Sequence, residues 1–196
     1  MRIIHYTLGF SPYRSGGLVK YAKDLMVAQA DLGHLVVALY PGGTSLLKKS
    51  CHVHCDKTYY GIRSFEMTNP LPVPLMYGVK DTETATNLKN LDIYSFECLL
   101  DNLKPEVFHV HTLMGLPLEY LQIVHDQGIR IVYTSHDYFG LCPKVNFINQ
   151  KGEVCLGASA DRCAVCNAHA KSAMFLKVRN TKWVVPLKSI ARRMKR

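Results

Sequence analysis

Over roughly the first forty residues, the spacing of apolar side chains changes from that of a strand to that of a helix and back again. This segment constrains the fold more than any other part of the chain. Residues 2–8 form a short apolar run typical of a β-strand, and residues 18–32 carry apolar side chains at helical spacing. Gly33 suits a helix C-cap, and residues 35–40 form a second apolar run. A strand, a helix and a strand in this order predict a βαβ unit, which requires a parallel sheet with a right-handed crossover.

Strands and helices continue to alternate further along the chain. In chain order we predict a strand over 59–65, a loop over 69–74, a helix over 87–103, a strand over 107–111, a helix over 117–127 and a buried strand over 129–135. This alternation predicts an α/β fold, a Rossmann-like doubly wound parallel sheet. We expect residues 1–196 to form a single domain, with a Cys-rich loop insert over 138–170 and a basic helical tail over 171–196.

The formal net charge of +9 belongs to that tail. Residues 1–170 hold 15 basic and 15 acidic side chains, whereas residues 171–196 hold nine basic and no acidic ones. Three interpretations are open: a helix that leads into a second domain, contact with an anionic membrane surface, or, least favoured, contact with nucleic acid. The sequence has neither a run of 18 apolar residues nor a signal-peptide pattern, so we expect a cytoplasmic protein, peripheral on the inner face of the membrane if the tail binds lipid.

Four of the seven cysteines are clustered in the predicted insert. Cys163 and Cys166 have the two-residue spacing of a zinc half-site, and Cys142 and Cys155 supply two more thiols. The pattern predicts a structural Cys₄ zinc site, with His169 as a possible substitute ligand. Disulfides and reduced, packed thiols remain alternatives.

Glycines and histidines follow the predicted strands on the side where parallel sheets bind ligands. Gly16 and Gly17 open the first helix, where backbone N–H groups and the helix dipole favour anions such as phosphate. The loop before them matches neither a dinucleotide fingerprint nor a P-loop, which disfavours a nicotinamide enzyme. A plain tight turn is the structural alternative.

Histidines accompany the two later strands. His136 and Asp137 end the last strand, where an imidazole can bind a hydroxyl or stabilise a developing charge. Asp137 is a candidate substrate-binding residue that orients neighbouring groups, and a capping role is the alternative. His109 and His111 lie two residues apart on one strand and therefore face the same side. A metal pair is one interpretation, and the favoured one has His111 facing the crevice with His109 packed.

Four segments in this order resemble the N-terminal domain of GT-B glycosyltransferases of the family 4 type. They are Met1–His5 with the Gly16–Gly17 loop, Leu32–Val37, Pro105–His111 and Ile131–Asp137. The cysteine pattern after His136 and Asp137 is similar to an insert in members that act on bacterial surface polysaccharides.

The resemblance implies a retaining glycosyltransferase that moves a sugar from a nucleotide-sugar donor to a glycan or lipid-linked acceptor, without a catalytic metal. It implies that His136 contacts the transferred sugar, that Gly16 and Gly17 lie between acceptor and donor phosphate, and that His111 faces the crevice. The family's second, donor-binding domain has no counterpart in the sequence, so we expect the acceptor half of an enzyme that is inactive alone. The alternative is a non-catalytic Rossmann-like interaction module with a metal-stapled loop and a membrane-facing tail.

Overall fold

The computed structural model describes residues 1–45, 49–78, 80, 88–179 and 181. Its regular elements are β1 (Arg2–Tyr6), α1 (Gly17–Asp31), β2 (Leu35–Pro41), β3 (His52–Tyr59), β4 (Ile62–Thr68), a short 3₁₀ helix (Leu75–Tyr77), α2 (Ile93–Leu103), β5 (Val107–Val110), α3 (Leu118–Asp126), β6 (Arg130–Tyr133), α4 (Ala160–Cys166) and α5 (Ala173–Arg179).

The strands form one six-stranded sheet in the order β3-β4-β2-β1-β5-β6. Every neighbouring pair is parallel except β3 and β4. Strand β1 lies in the middle, and His5 pairs in register with Ala38 on β2 and His109 on β5. The predicted α/β, Rossmann-like doubly wound sheet is therefore confirmed, with an antiparallel strand added at one edge.

Helices cover both faces of the sheet, because successive side chains of a strand point to opposite sides. Ile4 and Tyr6 belong to a buried cluster that includes side chains of α2 and α3. On the other face, Ala22 and Met26 of α1 pack with side chains of β2 and β4. His5 has the opposite parity to Ile4 and Tyr6, so it lies on the α1 side of the sheet.

The helix predicted over 87–103 begins later, at Ile93, because Asp92 caps it by accepting a hydrogen bond from the Ser95 backbone N–H at 3.1 Å. Its Phe96 ring stacks on Tyr120 of α3 with the ring centroids 4.0 Å apart. This aromatic contact ties the two helices together over the sheet.

The single strand predicted over 59–65 is wrong, because a turn at Tyr60 and Gly61 divides this region into the hairpin β3–β4. Both turn residues have positive φ, 54° and 79°, as in the two-residue turns that match the twist of a hairpin. Strand β3 was not predicted, since its polar and apolar residues do not alternate regularly.

The expectation of a buried strand before His136 is also wrong. Strand β6 lies at the edge of the sheet, and Ile131, Val132 and Tyr133 are 39%, 36% and 47% exposed. An apolar run predicts a strand from its composition, but the position of that strand in the sheet determines its burial.

The predicted insert over 138–170 contains a helix, α4, and an isolated bridge between Ile148 and Val154. Of the predicted basic tail, the structure describes residues 171–179, which include α5, and Thr181; residues 180 and 182–196 lie outside the described part. Among the described helices, none has the length and apolar character needed to cross a bilayer.

Candidate functional site

The site lies where β1, β5 and β6 end and α1 begins. Gly16 precedes the first residue of α1, Gly17, and its φ of 126° is accessible to glycine but strained for other residues. Both glycines are exposed, and a Cβ added to either would meet no atom within 4 Å. Both glycines therefore leave open space beside the first turn of α1, which has no side-chain cap on its N–H groups.

Tyr21, one helical turn after Gly17, connects this helix start to the histidines. Its ring centroid lies 4.8 Å from that of His136 and 6.0 Å from that of His111, both in edge-on arrangements. The glycine turn and the end of β6 therefore belong to one site, although about 120 residues separate them in the chain.

Behind Tyr21, four side chains form a hydrogen-bonded row that runs across β1, β5 and β6. Gln29 Oε1 lies 2.7 Å from His5 Nε2, His5 Nδ1 lies 2.9 Å from His111 Nε2, and His111 Nδ1 lies 3.3 Å from His136 Nε2. The third sheet histidine, His109, stacks on His111 at 4.2 Å, and its Nε2 lies 2.8 Å from Thr134 Oγ1. His5 and His111 are fully buried, and His136 is partly exposed at the end of the row.

Burial keeps these imidazoles neutral. It lowers the pKa of His5 to about 4, against a raising contribution from Gln29, and it lowers the pKa of His111 to about 3 with help from His109. The pKa values of His109 and His136 are lowered for the same reason.

The row also fixes which nitrogens carry protons. An amide oxygen only accepts, so His5 Nε2 donates to Gln29 and His5 Nδ1 accepts from His111 Nε2. His111 Nδ1 then accepts from His136 Nε2, which leaves His136 Nδ1 as a hydrogen-bond acceptor.

Asp137 has a local structural role in this arrangement. Its Oδ1 accepts a hydrogen bond of 2.9 Å from the Phe139 backbone N–H, so it shapes the turn after β6. Burial raises the pKa of its carboxyl group, although the Phe139 N–H and His136 oppose this shift.

Two arginines, Arg14 and Arg179, lie close to the loop that leads into the glycine turn at Gly16 and Gly17. Burial and the nearby guanidinium of Arg179 lower the pKa of Arg14 to about 10, and Tyr6 acts in the opposite direction. Arg179 also stacks over the Tyr77 ring, with 4.4 Å between its Cζ and the ring centroid. Two neighbouring cations favour the binding of an anion.

The four predicted zinc ligands form no disulfide and are partly buried; they are Cys142, Cys155, Cys163 and Cys166. Within the described ranges, they do not form a group of three or more side chains close enough to share one ion, and neither does His169. The Cys₄ site stays a prediction.

A separate cavity of about 350 Å³ lies between the insert and the 3₁₀ helix. Its lining includes Tyr77, Lys144, His169 and Lys171. It combines an aromatic ring with basic side chains, which is suitable for a sugar or phosphate group.

Sequence reasoning found Gly16, Gly17, His111 and His136, which the structure brings together through Tyr21, but it missed Gln29, Tyr21 and His5. His5 carried a usable signal, because two strands adjacent in a parallel sheet place residues of equal register side by side. A predicted β1–β5 pairing would have put His5 beside His109.

Fold and site together define an α/β domain that presents polar groups at the carboxyl edge of its parallel strands. The chain matches the family described as Glycosyltransferase Family 4 over residues 15–185, and it belongs to that family. No curated protein matches the chain. Membership confirms the resemblance to family 4. It implies two substrates, a nucleotide sugar as the sugar donor and an acceptor.

Proposed function

We propose that the chain is the acceptor-side domain of a retaining glycosyltransferase, which transfers a sugar from a nucleotide-sugar donor to a glycan or lipid-linked acceptor. In this proposal it works with a donor-binding domain, supplied in the same polypeptide or by a second one. The observation that carries the proposal is the contact of Tyr21 with His136, which places an imidazole close to a helix start of the kind that suits an anion.

His136 would contact the transferred sugar. Retaining transfer develops positive charge on the sugar ring and negative charge on the leaving phosphate. A neutral imidazole accepts a hydrogen bond from a sugar hydroxyl without adding positive charge beside that ring. The lowered pKa of His136 and its hydrogen bond to His111 support this role, and His111 would act as a positioning residue.

The anionic part of the donor or acceptor would bind at the glycine turn. The N–H groups that follow Gly16 and Gly17 are free for a phosphate, and the Arg14–Arg179 pair supplies compensating charge near the same loop. Asp137 would keep the turn after β6 in position beside the sugar.

Helix α5 supports a further proposal, that the protein binds an anionic membrane surface from the cytoplasmic side. Met174, Phe175 and Val178 are exposed by 76%, 45% and 52%, and Lys171 and Lys177 lie on or beside the same short segment. Apolar side chains next to lysines are typical of interfacial helices. This pattern would bring the domain to a lipid-linked acceptor, and it equally suits the alternative of a non-catalytic interaction module.

The four insert cysteines would bind a structural zinc ion in the functional protein, on the basis of the Cys163 and Cys166 spacing alone. Such a site would stabilise the insert beside the cavity. Zinc analysis of a Cys163→Ser/Cys166→Ser variant tests it: the variant should bind one ion fewer than the wild type, and an unchanged zinc content contradicts the site.

Transfer and binding assays test the main proposal. The chain, fused to or mixed with a family 4 donor-binding domain, is incubated with radiolabelled UDP-glucose or GDP-mannose and a bacterial lipid extract. We expect transfer, a reduction of at least tenfold in His136→Ala, and no change in His125→Ala, which removes an exposed histidine of α3. An unchanged rate in His136→Ala removes this residue from the mechanism.

The interaction-module alternative predicts a different pattern. It requires flotation of the chain with anionic vesicles, no transfer in any mixture, and no binding of UDP-glucose or GDP-mannose to the chain by NMR. Binding of either nucleotide sugar counts against it.

A further inference from the structure

Three buried histidines converge on the α1 face of the sheet. His5, His109 and His111 each offer one ring nitrogen, and these nitrogens all lie within 4.8 Å of one another. One pair, His5 Nδ1 and His111 Nε2, is 2.9 Å apart. A tetrahedral zinc ion with Zn–N bonds of about 2.0–2.1 Å holds its ligand nitrogens roughly 3.3 Å apart, a spacing that lies between the 2.9 Å of this pair and the 4.8 Å limit of the group.

We propose that His5, His109 and His111 form a binding site for a divalent transition-metal ion such as Zn²⁺. Neutral imidazole suits zinc, copper, nickel and cobalt, and three imidazoles leave a fourth position for water or another small ligand. The proposal concerns binding alone and does not depend on glycosyl transfer.

The outer nitrogen of each ring supports the proposal. In metal sites, the nitrogen that does not bind the ion is almost always hydrogen-bonded to a polar group, which orients the ring. Here His5 Nε2 is held by Gln29 at 2.7 Å, His109 Nε2 by Thr134 at 2.8 Å, and His111 Nδ1 by His136 at 3.3 Å. The second nitrogen of each ring, His5 Nδ1, His109 Nδ1 and His111 Nε2, would bind the ion, which would replace the hydrogen bond between His5 and His111.

Thr7 gives an independent indication. It lies two residues after His5, on the same face of the sheet, and the register of β1 and β5 places it beside His111. Its buried hydroxyl has no hydrogen-bond partner within the described residues. Because buried hydroxyl groups are normally satisfied, a water or other ligand on the fourth position of the ion would supply this partner.

In this proposal the ion would reach the cluster from the β6 edge of the sheet. His109 is 8% exposed, and Thr134, its partner, lies in a partly exposed position after an exposed strand. His5 and His111 are fully buried.

Metal binding would change the tautomer of His136. His111 must release the proton on Nε2 to bind the ion, and its Nδ1 becomes the donor to His136 Nε2. His136 then carries its own proton on Nδ1, so no net proton is gained or lost. Nδ1 of His136 thereby changes from a hydrogen-bond acceptor to a donor. Only the effect of this change on sugar transfer rests on the proposed function.

Cobalt spectroscopy and calorimetry on the full chain test the site. The Cys163→Ser/Cys166→Ser variant is used throughout, so that the predicted cysteine site does not contribute. We expect this variant to bind one equivalent of Co²⁺ with visible d–d absorption and without a sulfur-to-cobalt charge-transfer band, and Zn²⁺ to displace the cobalt. In the same background, His109→Asn should weaken binding at least 100-fold, and Thr134→Val about tenfold, as an outer-shell loss does.

The control is His125→Asn, an exposed histidine on α3, which should leave the affinity unchanged. Thr134→Val removes only a partner at the sheet edge, so it remains informative if His109→Asn does not fold. ¹⁵N NMR of the histidines should show the proton of His136 moving to Nδ1 when Zn²⁺ is added. The proposal is overturned if the folded cysteine variant binds no metal ion, or if Thr134→Val and His109→Asn bind it as tightly as their parent.

Discussion

The ring of Tyr21 on α1 lies 4.8 Å from the ring of His136 after β6, at an interplanar angle of 64°. Tyr21 follows the glycine turn by one helical turn, whereas His136 ends the row of buried histidines. This single contact joins the two parts of the site, so its removal is the most direct test of their coupling.

We expect Tyr21→Ala to lower the transfer rate by up to about tenfold, because an aromatic pair contributes roughly 0.5–1.5 kcal/mol. Tyr21→Phe keeps the ring and should retain the wild-type rate. NMR titration gives a second measurement: with Tyr21 removed, His136 is more exposed, and its pKa should rise toward 6.5. The control is Tyr94→Ala, an exposed tyrosine on α2. Equal effects of the two alanine variants would mean that the Tyr21 contact carries no coupling.

Gln29 supplies the acceptor at the buried end of the histidine row. Gln29→Leu leaves the buried His5 Nε2–H without its 2.7 Å partner, so we expect the free energy of unfolding to fall by about 1–3 kcal/mol. Gln122→Leu removes an exposed hydrogen bond to Asp126 on α3 and should change it by less than about 0.5 kcal/mol. Urea denaturation of both variants measures the difference, and losses of similar size would contradict the structural role of Gln29.

The buried histidines should make the metal-free protein sensitive to mild acid. The unfolded chain protonates them near pH 6.5, whereas burial holds the pKa of folded His5 at about 4 and of folded His111 at about 3. Below pH 6.5 the unfolded state therefore binds more protons, and stability is lost as the pH falls.

Between pH 6 and 5, a range above the ordinary pKa values of carboxyl groups, the free energy of unfolding should fall by more than about 1.4 kcal/mol per pH unit, the slope for one proton. Urea denaturation in the presence of EDTA measures this slope. His125→Gln, on the exposed surface of α3, should keep it. A wild-type protein of constant stability over this range would show that the rings are not buried neutral in solution.

The sequence was sufficient to predict the parallel sheet, because the first βαβ unit has clear helical and strand periods and few alternative folds satisfy them. It was not sufficient for β3, whose pairing with β4 depends on the turn at Tyr60 and Gly61 and on cross-strand packing rather than on its own composition. The burial of β6 was mispredicted for a related reason, since only the strand order shows that Ile131 and Val132 lie on an edge.

The candidate site shows the same difference between residues with a local sequence signal and residues that depend on tertiary contacts. His136 and the glycine turn were found because each carries a local signal at a strand end or a helix start. His5 and Gln29 were missed because their importance comes from register across β1 and β5 and from the packing of α1 on the sheet. No periodicity in the neighbouring sequence marks a histidine that pairs with another 106 positions away.

Gly115, in the loop between β5 and α3, is a position where a single added methyl group should destabilise the fold. Its φ is 81°, and an added Cβ would lie 2.8 Å from Pro41 Cβ and 3.0 Å from Val73 Cγ2. Gly128 has a similar φ of 70° but no atom within 4 Å of an added Cβ. Its substitution by alanine therefore reports the cost of the backbone conformation alone. We expect Gly128→Ala to cost about 1 kcal/mol of unfolding free energy, and Gly115→Ala about 1–3 kcal/mol more because of overpacking. Urea denaturation measures both, and equal losses would show that the β5–α3 loop moves away from Pro41 without penalty.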